Sequence, residues 1–240
     1  SGPTTETGWS PRRIAAAYLE FMSVLGYERF FTHGGDYGAA TGLQLAVQAP
    51  GRVLGTHITI VPTAGHRPED GEPTEQERRF TEESAAYRAV EHGYIELQRT
   101  KPQTLSYALN DSPSGLAAWI VEKFWRWTDH QGNLEDAVAR DQLLSNITLY
   151  WLTRTAGSSA RIYHASATPG ESVPTSYVGV PVGCAIFPAE IYPASRRWAE
   201  HHYNVVRWTE MDRGGHFAAF EVPELVANDF IAFARQVLPQ

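Results

Sequence analysis

Residues 32–40 read Thr-His-Gly-Gly-Asp-Tyr-Gly-Ala-Ala, and the spacing Gly34-x-Asp36-x-Gly38 decides how the rest of the chain is read. Glu28 to His33, just before it, is short and apolar-rich and reads as a strand. Ala39 to Gln48, just after it, reads as a helix that stops at Pro50-Gly51. A strand, a sharp Gly-x-Asp-x-Gly turn and a helix make a nucleophile elbow. Glycines permit the tight turn, and the central side chain is pushed out at the carboxyl end of the sheet. The free N–H groups of the helix's first turn can receive negative charge there. A glycine-rich loop with a helix-capping Asp would share the bare signature. The flanking strand and helix raise the elbow above that reading.

Outward from the elbow the chain divides into three. Ser10-Pro11 reads as a helix start, followed by Ile14, Tyr18, Met22 and Leu25 at helical spacing and a stop at Gly26. Val53 to Val61 is β-branched and reads as a strand closed by Pro62. Residues 63–73 have a polar, Gly- and Pro-rich linker composition. Helical patterns then run from Thr74 to Ser166, clearest over Gln76 to Gln98, Ser114 to Asp129 and Asp141 to Thr153. Strand character returns at Val180 to Phe187 and Asn204 to Thr209, around a helix at Ala194 to His201, and Pro223 to Leu238 is helical. The expected architecture is an α/β core in two pieces, 1–62 and 178–240, with an inserted helical lid over 63–177.

The chain has 240 residues with 42% hydrophobic and 20% charged side chains, an ordinary globular composition. Its net charge of −7, with no Lys/Arg cluster, argues against nucleic acid as a partner. One cysteine, Cys184, excludes an internal disulfide and suits a reducing, cytoplasmic compartment. No stretch is long and apolar enough to span a membrane.

An elbow nucleophile needs a base. The chain has 9 histidines, so any one chosen blindly is most often structural or solvated. His216, in Asp212-Arg-Gly-Gly-His216-Phe217, follows the last strand on a loop of small residues, from which an imidazole reaches across to Asp36. His33 is the runner-up, but it lies too close to the turn to face the nucleophile. Glu190, in Phe187-Pro-Ala-Glu190, follows the preceding strand and is positioned to orient the base. The lid is rich in aromatic residues, Trp119 among them. Most of these pack the lid, yet such density also suits an apolar pocket. Tyrosines there can donate a hydrogen bond to an oxygen that gains charge.

These segments resemble the epoxide hydrolases of the microsomal type. The resemblance is carried by Gly34-Gly-Asp-Tyr-Gly38, Arg99-Thr-Lys-Pro-Gln-Thr104, Ala108 to Pro113, and Gly115 to Trp119 with Glu122-Lys123-Phe124. Asn146 to Trp151, Phe187 to Glu190, and Arg213-Gly-Gly-His-Phe-Ala-Ala-Phe-Glu221 with Pro223-Glu224-Leu225 complete it. The resemblance implies an α/β-hydrolase fold with a helical lid. It implies Asp36 as nucleophile, His216 as base, Glu190 as the orienting acid, and Tyr94 and Tyr163 as donors to the epoxide oxygen. The Tyr37 backbone N–H would serve the oxyanion, and Trp119 would contact substrate. The substrate would be a small apolar epoxide, turned over with water and without metal or organic cofactor. A homodimer stays open.

Two departures accompany the resemblance. Tyr37 stands where the family usually has Trp. The His-Gly-x-Pro loop that the family carries upstream of the elbow has no counterpart, so the chain is expected to be the carboxyl-terminal part of a longer one, with its elbow strand left as an apolar edge. A haloalkane dehalogenase-like hydrolase and a truncated, non-catalytic relative are the alternatives.

Overall fold

The computed structural model describes residues 3–238. In chain order the elements are α1 (Pro11–Val24), β1 (Phe30–Gly34), α2 (Tyr37–Gln48), β2 (Val53–Ile58), α3 (Glu75–Glu91), α4 (Gly93–Thr100), α5 (Pro102–Asp111) and α6 (Pro113–Trp127). There follow α7 (Arg140–Thr153), α8 (Ala156–Ala165), β3 (Val178–Ile186), α9 (Arg196–Glu200), β4 (Tyr203–Glu210), α10 (Ala218–Glu221) and α11 (Pro223–Val237). The four strands form one parallel sheet in the order β1-β2-β3-β4, and helices α3–α8 all fall between β2 and β3 in the chain.

Parallel strands are covered on both faces, most fully here at β2 and β3. Five of the six residues of β2 are buried. On one face lies α2, whose residues from Ala39 to Ala46 are all buried, so small residues let it lie close to the sheet. On the other face α11 inserts Phe230 and Phe233, whose rings meet Phe31 edge-on at 6.4 and 6.0 Å. β1 forms an edge of the sheet, and α1, stacked on α2, leaves Tyr18, Phe21 and Val24 exposed.

Local signals start the helices where the sequence places them. Ser10 caps α1 through the Arg13 N–H, Ser112 caps α6 through Gly115, and Thr74 and Glu77 form a capping box at the head of α3. Two expectations need correction. The helical run from Gln76 to Gln98 is two helices broken at His92, where the following Gly93 weakens the helix and the imidazole bonds to the Tyr192 hydroxyl. The strand expected over Val53 to Val61 ends at Ile58, because Thr59 turns beneath the elbow and its N–H meets the Gly34 carbonyl at 3.3 Å. Within residues 63–73 the Asp70 carboxylate accepts from His201 at 2.5 Å.

Candidate active site

The elbow joins β1 to α2, and Asp36 at its apex has φ 46° and ψ −127°. A non-glycine residue at positive φ is strained, and such strain is held only where surrounding contacts enforce it. Gly34 makes room for the turn: a Cβ there would lie 2.4 Å from the Gly38 carbonyl carbon. Gly38 itself faces open space, so the last glycine of the signature is not required by any contact. The Asp36 carboxylate emerges 42% exposed into a cavity.

His216 meets that carboxylate with Nε2 3.0 Å from Asp36 Oδ2. Its Nδ1 lies 2.9 and 3.1 Å from the two oxygens of Glu190. The His216 side chain is only 3% exposed and Glu190 6%. With an acceptor at each ring nitrogen, both are satisfied only when both carry protons. Burial alone would depress the imidazole, but the Glu190 charge and the hydrogen bonds to Asp36 and Glu190 outweigh it and raise His216 to about 10.

The loops that hold this chain are tied to each other and to the lid. Ala189 bridges to Gly215 in parallel fashion, which aligns the Glu190 loop with the His216 loop. The His216 N–H donates to the Trp127 carbonyl at the end of α6 at 2.8 Å. Gly214 N–H donates to Asp129 Oδ2 at 2.9 Å, and Gly215 and Asp129 both donate to Glu221 Oε2, at 3.0 and 2.7 Å. A Cβ on Gly215 would stand 2.6 Å from the Trp127 carbonyl oxygen, so glycine is what lets α6 end this close to the histidine.

A cavity of about 820 Å³ opens above Asp36, roofed by α4, α6, α7 and α8. Tyr94 and Tyr163 line it with ring centroids 5.9 Å apart, and Trp119 and Phe217 contribute to its apolar wall. Burial raises both phenols' pKa values; the neighbouring tyrosines and Asp36 add to this at Tyr94, and Asp36 is the next cause at Tyr163. Both are therefore neutral phenols in the wall of the cavity that holds Asp36. Tyr37 is the first residue of α2, where backbone N–H groups have no partner within the helix. Its ring also packs edge-on against Tyr163 at 5.0 Å, so the residue supports a lid tyrosine as well as offering an amide.

The sequence-predicted residues thus divide cleanly. Asp36, His216 and Glu190 form one hydrogen-bonded chain, and Tyr94, Tyr163, Tyr37 and Trp119 surround the same cavity. His33 turns away, with its Nδ1 2.8 Å from His57 Nδ1. Three groups carry no role in the sequence reading. Asp129 and Glu221 clamp the histidine loop; Asp129 meets partners 85 and 92 residues away in the chain, and only Gly215, six residues before Glu221, is local to the clamp. Lys123 lines the cavity with its ammonium over the ring of Tyr94, and its spacing of four from both Trp119 and Trp127 on one face of α6 was the available signal.

The parallel sheet, the strand-turn-helix elbow and the inserted helices are those of the α/β-hydrolase fold, and solved structures superpose on them. An Aspergillus niger epoxide hydrolase superposes with a TM-score of 0.84 at 28% identity, covering 99% of this chain and 60% of that one. The juvenile hormone epoxide hydrolase of the silkworm Bombyx mori gives 0.87 at 28%, covering 98% and 61%. In sequence the chain is 43% identical, over 99% of its length, to a Stigmatella aurantiaca protein named "Putative epoxide hydrolase", and 34% identical over 97% to epoxide hydrolase 1 of Sus scrofa. It is a homologue of the epoxide hydrolases. The chain spans 54% and 57% of those two relatives' lengths, a little over half. No family model matches it. Among the described residues, no helix is long and apolar enough to cross a membrane.

Proposed function

We propose that this chain carries the machinery of a cofactor-independent epoxide hydrolase, which opens apolar epoxides to vicinal diols through an ester on Asp36. The observation that carries the reading is the Asp36–His216–Glu190 hydrogen-bonded chain opening on a cavity that two neutral tyrosines share. Asp36 attacks an epoxide carbon, and the C–O bond of the strained ring breaks. The developing alkoxide takes a proton from Tyr94 or Tyr163. A serine here would form an ether with no carbonyl to hydrolyse, whereas an aspartyl ester keeps its own carbonyl as the point of release.

Alkylation also prepares the second step. It removes the Asp36 charge that helps hold the His216 proton, so the imidazole becomes more acidic and gives that proton back to the tyrosine oxygen. Neutral His216 then takes a proton from water, which attacks the ester carbonyl, and Glu190 stabilises the imidazolium that forms. The Tyr37 N–H, in the first turn of α2, serves the oxyanion. Collapse releases the diol, leaving Asp36 as carboxylate and His216 protonated as at the start.

Under this reading 1–62 and 178–240 form the catalytic core, 63–177 form the lid, Trp119 contacts the substrate, and the protein works in the cytoplasm. The dehalogenase alternative wants a ring of halide donors. Tyr94 and Tyr163, two phenols that line the cavity, favour the epoxide. A single-turnover reaction with styrene oxide, read by peptide mass spectrometry and diol analysis, tests the proposal. The Asp36 peptide should gain the mass of the epoxide and lose it as diol appears, and Asp36→Ala should abolish both. Diol formation that survives in Asp36→Ala refutes the assignment.

A further inference from the structure

Among the described residues that line the cavity, Asp36 and Lys123 are the only ones with charged side chains. The Lys123 side chain is 14% exposed, and its Nζ stands over the ring of Tyr94 at 4.4 Å and over that of Trp127 at 5.5 Å. Glu122, itself 53% exposed, pairs with the ammonium at 2.6 Å. The other groups packed on Tyr94 are neutral: Tyr163 at 5.9 Å, the Trp127 ring at 5.3 Å, and Tyr87 in the same buried cluster. An ammonium so withdrawn from water needs a reason, since a methionine of similar shape would fill the space without a desolvation cost.

We infer that Lys123 is the electrostatic partner of Tyr94, stabilising that phenol as it gives its proton to the opening epoxide. A cation over the face of a neutral phenol gains a modest interaction with the ring quadrupole. When the hydroxyl loses its proton, negative charge spreads from oxygen onto the ring carbons, directly beneath the ammonium. The attraction therefore grows along the reaction coordinate, and only interactions stronger in the transition state than in the ground state accelerate a step. No proton leaves Lys123: Tyr94 supplies it and later recovers it from His216. The role also assigns most of the transfer to Tyr94, because Tyr163 has Tyr37 rather than a cation against its ring. Lys123 acts through Tyr94 and is a positioning residue in this sense. The inference rests on the epoxide hydrolase reading.

The test compares Lys123→Met, Lys123→Arg and wild type, each alone and with Tyr94→Phe. In Lys123→Met the rate of Asp36 ester formation from a neutral epoxide should fall about 10- to 100-fold, with ester hydrolysis changed far less. Lys123→Arg, which keeps a cation, should recover most of the loss. In the Tyr94→Phe background the Lys123→Met effect should nearly vanish, since there is no phenol left to stabilise. An equal loss in that background, a loss confined to KM, or a loss seen only with anionic epoxides overturns the inference. A second readout needs no turnover. With a polyfluorinated tyrosine at position 94, whose phenol ionises several units lower, ¹⁹F NMR titration should show Lys123→Met raising the midpoint by about one unit or more. An unmoved midpoint refutes the pairing even if the protein is an epoxide hydrolase, and a raised midpoint without ester formation from any epoxide refutes the enzymatic reading alone.

Discussion

Two buried histidines in this chain sit beside carboxylates and yet differ in kind. His57 is fully buried, with Nε2 3.0 Å from Asp229 Oδ2 and Nδ1 2.8 Å from His33. His216 is nearly as buried, with Glu190 on one nitrogen and Asp36 on the other. By distance alone each is a histidine–carboxylate pair. The difference lies in what stands at the far ends. Asp229 is already paired with Arg207 and accepts from the Thr209 hydroxyl at 2.8 Å, and His57 packs against the rings of Phe230 and Phe233. His216 instead ends on a strained, half-exposed carboxylate that faces 820 Å³ of space. A buried histidine–carboxylate pair is an ordinary way to satisfy a core imidazole. It becomes chemistry when its outer partner is unsatisfied by protein and accessible to a reactant.

The comparison breaks most sharply at His216. His216→Gln should leave ester formation largely intact and slow ester hydrolysis by about 10³-fold or more, so that alkylated protein accumulates in a mass-spectrometric time course. Free diol at the wild-type rate would show that the two histidines are equivalent after all. Removing the lid donors should cost less. Tyr163→Phe leaves Tyr94 to serve the oxygen alone, and a drop of about 10²-fold in ester formation is expected by stopped flow, with hydrolysis of preformed ester unchanged.

At the other histidine the expectation inverts. Asp229→Asn should destabilise the fold by about 3 kcal/mol, since it breaks a buried ion pair, while folded molecules keep their single-turnover rates. Urea melts and rate measurements on the same sample separate the two effects, and a rate loss larger than the folded fraction explains would tie the His57 network to the site. The smallest effect is in pH. His216 is raised from 6.5 to about 10 on folding, so its contribution is fully present below 6.5 and is lost as pH rises through about 10. Asp229 is depressed from 3.8 to about 2, because the His57, Arg207 and Thr209 hydrogen bonds outweigh the burial that would raise it; its contribution is present above 3.8 and lost as pH falls through about 2. Thermal melts should therefore weaken at both extremes, with Asp229→Asn flattening only the acid side and His216→Gln only the alkaline side.

Much of the site was legible in the chain. The elbow is local: Gly34, Asp36 and α2 lie within a few residues, and short-range sterics fix their relation. His216 and Glu190 were legible because each follows a strand, and strand ends of a parallel sheet gather at one edge. The clamp of Asp129 and Glu221 was not legible, because it depends on where the end of α6 meets a loop far along the chain. The break at His92 was missed for a related reason, since a partner 100 residues away, Tyr192, holds the imidazole.

Sequence by itself determined most of the elements, the carboxylate at the elbow and the chain order of Asp36, Glu190 and His216, because spacing, glycine sterics and helix caps are short-range. Only the tertiary structure decided that Asp129 and Glu221 clamp the His216 loop, that Tyr37 packs on Tyr163, and that Lys123 lies over Tyr94. Those facts depend on how distant segments pack, and a few ångströms decide whether a carboxylate is spent in the core or left open to a reactant.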